Sequence, residues 1–272
     1  MEDGPLQGAE LYIDNTEPWE VDTMIKAVCF DLDNTLLDRD KSLHSFLEDQ
    51  YARLNMFDHV EKDPFMDRFI ELDYRGYVWK DIVYETLIRE FDMRGCTIEE
   101  LLSDYLTHFH HHCIPLGPVE EVLKELRARG MLIGIISNGF HQFQSDNLKA
   151  LSIHLYAHTI LISESEGLRK PDKRIFQSIA GKMGVKVKEC AFVGDHPIND
   201  VKGAKDAGMT SIWLRGDGYS VPDHADAIID QLPELMGVLR NLDVERPTLP
   251  RHNSSESIKM KACLIIDIVL LL

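Results

Sequence analysis

The sequence predicts an α/β protein, built as a doubly wound parallel β-sheet with a small helical domain inserted into it. Short apolar runs alternate along the chain with amphipathic helical patterns, which is the order expected of buried parallel strands joined by crossover helices. About 100 residues separate the first apolar run from the second, whereas a crossover between parallel strands needs only about a dozen. This excess indicates an inserted domain.

Six apolar runs are predicted to be strands, because none shows the strict alternation of a strand with one exposed face. In chain order they are Lys26–Phe30, Leu132–Ile136, Thr159–Ile162, Cys190–Val193, Ser211–Leu214 and Ala227–Ile229. Helical patterns lie between most of them. One begins at Pro118 and stops before Gly130, and Asp172–Met183 and Pro233–Arg240 repeat the pattern. We expect these helices to cover both faces of the sheet.

The insert is predicted to be helical throughout. Thr97 and Glu100 have the spacing of a capping box at the start of its last helix. The insert begins shortly after the first strand. We therefore expect it to lie over the carboxyl edge of the sheet, where open α/β proteins bind ligands. Its apolar residues recur at helical spacing in four groups, Leu43/Phe46/Leu47/Leu54, Phe65/Phe69/Ile70, Ile82/Val83/Leu87/Phe91 and Leu101/Leu102/Tyr105/Phe109.

The chain is accordingly divided into four parts: an acidic N-terminal tail (1–24), an α/β core (25–40 and 116–243), the helical insert (41–115) and a C-terminal tail (244–272). The last tail ends in an apolar stretch, Ala262–Leu272, which Asp267 interrupts. A membrane span needs about 20 apolar residues, so this stretch is too short to cross a bilayer. It is interpreted as an appendage or as a partner-binding segment.

The composition excludes several classes of protein. The 272 residues carry a formal net charge of −17, which opposes binding to nucleic acid through the neutralisation of its phosphates. Five scattered cysteines without C-x-x-C spacing predict reduced thiols, and an acidic start in place of a signal segment predicts a cytoplasmic protein. We expect no nucleic-acid partner and no membrane partner, and the sequence does not indicate an oligomeric state.

Two carboxylates follow the first predicted strand. Asp31 and Asp33 stand at positions i and i+2, which point to the same side of an extended chain. Two like charges held together raise the pKa of one of them, and a divalent metal ion relieves the repulsion. A solvated acidic turn is the alternative interpretation.

Three further predicted strands end in polar residues. Ser137–Gly139 offers a hydroxyl and backbone N–H groups to an anion, or forms an ordinary turn. Lys170 stands just outside a predicted helix start, and Asp195 and Asp200 follow the fourth strand, where a capped helix start is the alternative. A doubly wound sheet would bring all of these residues into one crevice.

These motifs resemble the haloacid dehalogenase (HAD) superfamily, in particular its phosphatase branch with a helical cap of the C1 type inserted after the first motif. The resemblance covers about residues 25–240 and implies a Rossmann-like core. Asn34 stands where many members have glycine, and His196 and Pro197 are a local peculiarity of the fourth motif. In the family's order, the motifs are Asp31-x-Asp33-x-Thr35, Ser137-Asn138, Lys170 and Gly194-Asp195-x-x-x-x-Asp200.

The resemblance implies a phosphatase that hydrolyses a small phosphorylated metabolite. Asp31 would attack phosphorus and form an aspartyl phosphate, while Asp33 would protonate the leaving alcohol and then accept a proton from water. Thr35 would fix the loop or touch the phosphate. The other groups expected to stabilise the phosphate oxygens are Lys170, Ser137 and the backbone N–H groups of Asn138 and Gly139.

The resemblance also implies a Mg²⁺ cofactor surrounded by four aspartates. Asp31, Asp195 and the backbone carbonyl of Asp33 would hold the metal, which offsets the repulsion between carboxylate and phosphate. Asp200 would orient Lys170 or a metal-bound water.

Other functions on related folds stay open at this point. A halide-displacing enzyme would use Asp31 but would leave Asp33 without a role, because a departing halide needs no proton. A phosphosugar mutase would use the same two acids. A receiver-like regulatory domain also accepts phosphate on an aspartate with Mg²⁺, but it has neither the insert nor the second acid.

The insert is expected to select the substrate. Arg53, Arg68, Arg75 and Tyr77 could reach a ligand, although such residues are more often solvated. His108 and His110–His112 invite a metal hypothesis, but cationic side chains at a helix C-terminus explain them adequately.

Overall fold

A computed structural model describes residues 24–54, 57, 59–216 and 218–244 of the chain. The predicted acidic tail, apart from Met24, and the apolar stretch Ala262–Leu272 lie outside these residues. Within them, Cys29, Cys96, Cys113 and Cys190 are free thiols. None of the helices in this part of the chain is long and apolar enough to cross a membrane.

Six parallel strands form one sheet in the spatial order β3-β2-β1-β4-β5-β6. All six predicted strands are confirmed, and no bound differs from the prediction by more than one residue. The chain adds strands outward from β1 to β3, then returns to β4 on the other side of β1 and continues to β6. The order therefore reverses between β1 and β4, and this is the position where doubly wound sheets form a ligand crevice. The strands are β1 (Ala27–Phe30), β2 (Leu132–Ser137), β3 (Thr159–Ile162), β4 (Cys190–Gly194), β5 (Thr210–Leu214) and β6 (Ala227–Ile229).

Helices cover both faces of the sheet, as predicted. Successive residues of β1 face different apolar clusters, since Val28 packs in the cluster that contains Leu123, whereas Cys29 packs in the one that contains Ile175. Gly134 in β2 permits this packing, because a Cβ atom there would lie 2.7 Å from Cδ1 of Ile179. The helices are α1 (Arg39–Arg53), α2 (Lys62–Asp73), α3 (Lys80–Glu90), α4 (Ile98–His108), α5 (Val119–Ala128), α6 (His141–Ala150), α7 (Ser163–Glu166), α8 (Lys173–Lys182), α9 (Gly203–Ala207) and α10 (Leu235–Val244).

Helices α1 to α4 form the predicted helical insert, or cap. The capping box is confirmed, because the Thr97 hydroxyl accepts from the Glu100 backbone N–H and the Glu100 carboxylate accepts from that of Thr97. Aromatic side chains pack together in the interior of the cap. For example, the ring centroids of Phe46 and Tyr105 lie 5.2 Å apart. The proposed boundary between residues 40 and 41 falls in the first turn of α1.

The two segments that connect the cap to the core lie side by side. The backbone N–H of Asp38 donates to the carbonyl of Ile114 at 2.8 Å, and the N–H of Ile114 donates to the Ser42 hydroxyl at 2.9 Å. Leu37 also forms an isolated bridge with Pro115. The cap thus leaves and rejoins the core at one point, next to the end of β1.

Candidate active site

The loop after β1 presents Asp31 at the carboxyl edge of the sheet and turns back at once. The N–H of Asn34 donates to the carbonyl of Leu37 at 2.8 Å, and the N–H of Leu37 donates to the carbonyl of Leu32 at 2.9 Å. Asn34 has φ +56°, a left-handed conformation that glycine adopts freely and asparagine tolerates better than most residues. This conformation is compatible with asparagine at a position where the resemblance implies glycine.

Lys170 is buried between two carboxylates. Its Nζ lies 2.6 Å from Oδ1 of Asp31 and 2.7 Å from Oδ1 of Asp200. Burial lowers the pKa of Lys170, but the two carboxylates raise it more, so the ammonium stays charged. The Asn138 side chain holds the Lys170 backbone through both of its polar atoms, since Nδ2 donates to the carbonyl at 3.0 Å and Oδ1 accepts from the N–H at 2.9 Å.

Three carboxylates converge around this ammonium. Asp31, Asp195 and Asp200 each offer an oxygen, and these atoms all lie within 4.8 Å of one another. Burial raises the pKa of Asp31 to about 7 and that of Asp195 to about 9; neighbouring carboxylates add to both shifts and Lys170 opposes them. The three carboxylates therefore carry more negative charge than the single ammonium can balance. Oxygen ligands at this spacing fit Mg²⁺.

The segment after β4 is shaped to bring Asp200 into this cluster. A Cβ atom at Gly194 would lie 2.4 Å from Cβ of Asp200, so only glycine allows the close approach. The backbone N–H of His196 donates to the Asp200 carboxylate at 3.0 Å. The His196 ring accepts from the N–H groups of Ile198 and Asn199 at 3.0 and 3.1 Å, and so caps the π-helical turn Pro197–Lys202. This cap accounts for the unusual histidine in the motif.

Asp33 has different surroundings from the other acids. Its carboxylate is not part of the three-acid cluster found among the described residues, and its Oδ2 accepts from Nε2 of Gln144 at 2.7 Å. Nδ2 of Asn147 donates to Oε1 of Gln144 at 3.2 Å, and the Cys113 thiol donates to Oδ1 of Asn147 at 3.4 Å. This chain of hydrogen bonds orients the Gln144 amide as a donor toward Asp33.

Gln144 was not anticipated from the sequence, although a signal was present. Gln144, Asn147 and Leu148 form the buried face of α6, so two amide side chains occupy positions where apolar residues are usual. Buried amides need hydrogen-bond partners, and such a pair on the inner face of a helix next to Ser137–Gly139 indicates a polar neighbour.

Only some of the predicted phosphate ligands lie on the wall of a cavity. Asn138, Gly139 and Lys170 line a cavity of about 420 Å³ between cap and core, whereas Thr35 and Ser137 are fully buried and do not lie on its wall. The hydroxyls of Thr35 and Ser137 have no hydrogen-bond partner among the described residues. The backbone N–H of Gly139 already donates to the hydroxyl of Ser163 at 3.0 Å.

The cap contributes the opposite wall of the cavity. Of the four cap residues considered from the sequence, Arg75 and Tyr77 line it. Arg53 instead pairs with Asp104, and Arg68 pairs with Glu90. Tyr77 also reaches the core, where its hydroxyl lies 3.4 Å from that of Tyr219.

The histidines at the end of α4 form no group with the spacing of metal ligands. Across the described part of the chain, the three-aspartate cluster alone has that spacing. His112 lies 3.3 Å from the Asp49 carboxylate and 3.1 Å from the Ser45 hydroxyl, and His108 lies 3.1 Å from Asp104. These contacts agree with a structural role.

Comparison with known proteins gives the same family as the motifs. Residues 28–214 match the haloacid dehalogenase-like hydrolase family. The chain is 31% identical to glyceraldehyde 3-phosphate phosphatase of Methanopyrus kandleri, over 80% of this chain and 99% of the relative. A shorter match, at 37% identity, links 37% of this chain to 41% of the phosphoserine phosphatase of Thermus thermophilus. The crystal structure of a HAD phosphatase from Thermococcus onnurineus has a TM-score of 0.58 and 28% identity, covering 79% of this chain and 98% of that one. The chain therefore belongs to the haloacid dehalogenase-like hydrolase family.

Proposed function

We propose that this chain is a Mg²⁺-dependent phosphatase that hydrolyses a small phosphate monoester through an aspartyl phosphate on Asp31. The observation that carries the proposal is the contrast between the two acids of the first motif. Asp31 lies in the charged cluster beside Lys170, whereas Asp33 is held apart from it by Gln144. A nucleophile and a proton carrier need this separation, because the first must approach phosphorus and the second must reach the ester oxygen.

The residues of the chain divide the work as follows. Asp31 attacks phosphorus, and Lys170 beside it stabilises charge on the transferring oxygens. Asp33 gives its proton to the leaving alcohol and then accepts one from the water that hydrolyses the aspartyl phosphate. The hydroxyls of Thr35 and Ser137 have no partner among the described residues, but both lie off the cavity wall, so their contact with a phosphate oxygen stays a prediction.

Asp31, Asp195 and Asp200, with the backbone carbonyl of Asp33, are the groups proposed to hold Mg²⁺. The convergent oxygens and the raised pKa values of Asp31 and Asp195 support this assignment. When bound, the ion supplies positive charge that reduces the repulsion between the nucleophile and the phosphate.

A small substrate is supported by the size of the cavity, about 420 Å³, and by the substrates in the names of the two relatives, glyceraldehyde 3-phosphate and phosphoserine. A halide-displacing reaction is disfavoured, because a departing halide needs no proton and Asp33, which Gln144 holds, would have no role. Cytoplasmic location and the lack of nucleic-acid and membrane partners stay predictions.

Two variants test the division of roles. Asp31→Asn should abolish turnover and the phosphoenzyme. Asp33→Asn should lower kcat on an alkyl phosphate by about 10²–10⁴-fold, the usual worth of general acid catalysis, and should lower it much less on p-nitrophenyl phosphate. Asp230→Asn, an exposed acid paired with Arg215, is the matched control and should keep full activity.

The measurements are steady-state rates with Mg²⁺ and the mass of the intact protein, which would reveal an added phosphoryl group. Equal losses in Asp31→Asn and Asp33→Asn on every ester, with no phosphoenzyme in either while the wild type forms one, would contradict the proposed roles. Near wild-type turnover in Asp31→Asn would exclude the covalent mechanism.

A further inference from the structure

The cap wall of the cavity contains two buried cations. Arg39, at the start of α1, and Lys80, at the start of α3, both line the cavity, and only 6% and 2% of their surfaces are exposed. Asp73 lies between them: Nη2 of Arg39 donates to its Oδ1 at 2.9 Å, and Lys80 contacts the same carboxylate. Among the described residues, neither cation has another ion-pair partner within 4.0 Å. Two positive charges therefore share one negative charge.

The hydrogen-bonding capacity of this group is not used up. A lysine ammonium has three donors, and Lys80 directs one to Asp73 and one to the carbonyl of Val78 at 3.2 Å. Nη1 of Arg39 lies 2.8 Å from Oδ2 of Asp73 but makes no directed hydrogen bond to any described residue. Each cation thus keeps a donor that has no hydrogen-bond partner among the described residues.

The charge balance favours an anionic ligand over a neutral one. Burial raises the pKa of Asp73, but Arg39 and Lys80 lower it more, so this carboxylate stays ionised and the net charge of the three residues is +1. Burial and the charge of Arg39 lower the pKa of Lys80 despite the opposing effects of Asp73 and Asp33. A buried cation with too little compensating charge is costly, and a neutral ligand would leave that cost in place.

The charge of Asp33 acts on both cations from a distance and raises the pKa of each, but Asp33 contacts neither of them. Its Oδ2 is bonded to Gln144, and no ion pair links it to Arg39 or Lys80. The cavity wall also contains aromatic side chains, among them Tyr105, whose ring centroid lies 5.5 Å from Nζ of the buried Lys80. In such surroundings the attraction between a cation and an anion is stronger than in water.

We propose that Arg39 and Lys80 form a second anion subsite, which binds a carboxylate on the leaving group of the phosphate ester. The proposal rests on the proposed phosphatase function, because it places the phosphate at Asp31 and Lys170 and the rest of the substrate against the cap. A single negative charge matches the surplus of +1, and the two oxygens of a carboxylate can accept from the remaining donors of both cations. The substrate class is then a phosphorylated hydroxy acid.

A purely structural role for the same three residues makes a different prediction. Asp73 also accepts from the N–H of Gly76 at 2.8 Å, and Gly76 lies against the Arg39 guanidinium, so this group also holds the loop that carries Arg75 and Tyr77. Disturbing that loop would impair every substrate equally. Loss of a carboxylate subsite would impair carboxylate-bearing substrates selectively.

The test compares phosphoglycolate with its neutral amide, using p-nitrophenyl phosphate as a general reference. The wild type should have a kcat/KM for phosphoglycolate at least about 10-fold above that for the amide, the range of a hydrogen bond to a charged group. Lys80→Met should remove most of this preference, mainly by raising KM for phosphoglycolate, and Lys80→Arg should restore part of it. Lys62→Met, which removes an exposed cap lysine paired with Glu48, should leave the preference unchanged.

Each outcome decides between the interpretations. Equal hydrolysis of acid and amide by the wild type, or an equal loss on both in Lys80→Met, would overturn the subsite while p-nitrophenyl phosphate turnover upheld the phosphatase. If the wild type hydrolysed none of the three esters, the function and the subsite would fall together. If Lys80→Met did not fold, the wild-type comparison and Lys80→Arg would still decide the matter.

Discussion

Replacing Lys170 with methionine should destabilise the protein strongly and in a pH-dependent way. The substitution keeps the length of the side chain but removes the ammonium that lies 2.6 Å from Asp31 and 2.7 Å from Asp200. Removing one partner of a buried ion pair typically costs about 3–5 kcal/mol of unfolding free energy. With no metal bound, the site can recover one positive charge only by taking up a proton on one of its carboxyls.

The cost of that proton can be worked out from the unfolded chain. An aspartate with an unfolded pKa of about 3.9 must be protonated at an expense of about 1.4 kcal/mol per pH unit above that value. The variant should therefore lose about 4 kcal/mol at pH 7, in agreement with the ion-pair value, but only about 1.5 kcal/mol at pH 5. The penalty grows with pH because it reflects a carboxyl whose folded pKa is raised.

Urea unfolding followed by circular dichroism, with a chelator present, measures this difference. Lys182→Met is the control, since it breaks the ion pair of a half-exposed lysine with Glu166 and should cost less than about 1 kcal/mol at either pH. A loss in Lys170→Met that is no larger than in the control, or that is the same at pH 5 and pH 7, would refute the view that this ammonium compensates the carboxylates.

Two further predictions concern the same cavity. The folded pKa values of Asp31 (about 7) and Asp195 (about 9) exceed their unfolded value of about 3.9. The stability they contribute is therefore full below that value and is lost progressively as pH rises from there to 7 for Asp31 and to 9 for Asp195. The Tm of the metal-free protein should fall over this range, and Mg²⁺ should raise it more at pH 8 than at pH 6; a Mg²⁺ effect independent of pH would contradict this. Gln144→Leu removes the donor to Asp33 and should lower kcat on an alkyl phosphate by about 10- to 100-fold, whereas Gln142→Leu, which changes an exposed residue of the same helix, should not. Equal rates in the two glutamine variants would exclude Gln144 as a positioning residue.

The sheet and the acids on its edge could be predicted from the sequence because both depend on local patterns and one topological rule. A continuous apolar run such as Cys190–Val193 identifies a buried strand without any knowledge of its neighbours. Once the strands are known to be parallel, their carboxyl ends must share an edge, so Asp31 and Asp195 had to converge. This conclusion required no knowledge of the distance between Asp31 and Asp195.

The cap side of the site could not be predicted in the same way. Arg39 and Asp73 are 34 residues apart, and the hydroxyls of Tyr77 and Tyr219 meet across 142 residues. Their contacts depend on how helices pack, and helix packing allows several angles for one pattern of apolar residues. Gln144 illustrates the same point, because its role depends on which face of α6 is turned toward the loop after β1.

The meeting of the two cap connections determines how freely this chain can be altered. Asp38 and Ile114 are hydrogen-bonded to each other, so the inserted segment begins and ends at the same place. The distance between the two ends of the inserted segment is therefore the same whatever the length of that segment. We therefore expect that one contiguous segment of the chain can be exchanged between relatives without moving the aspartates beside β1.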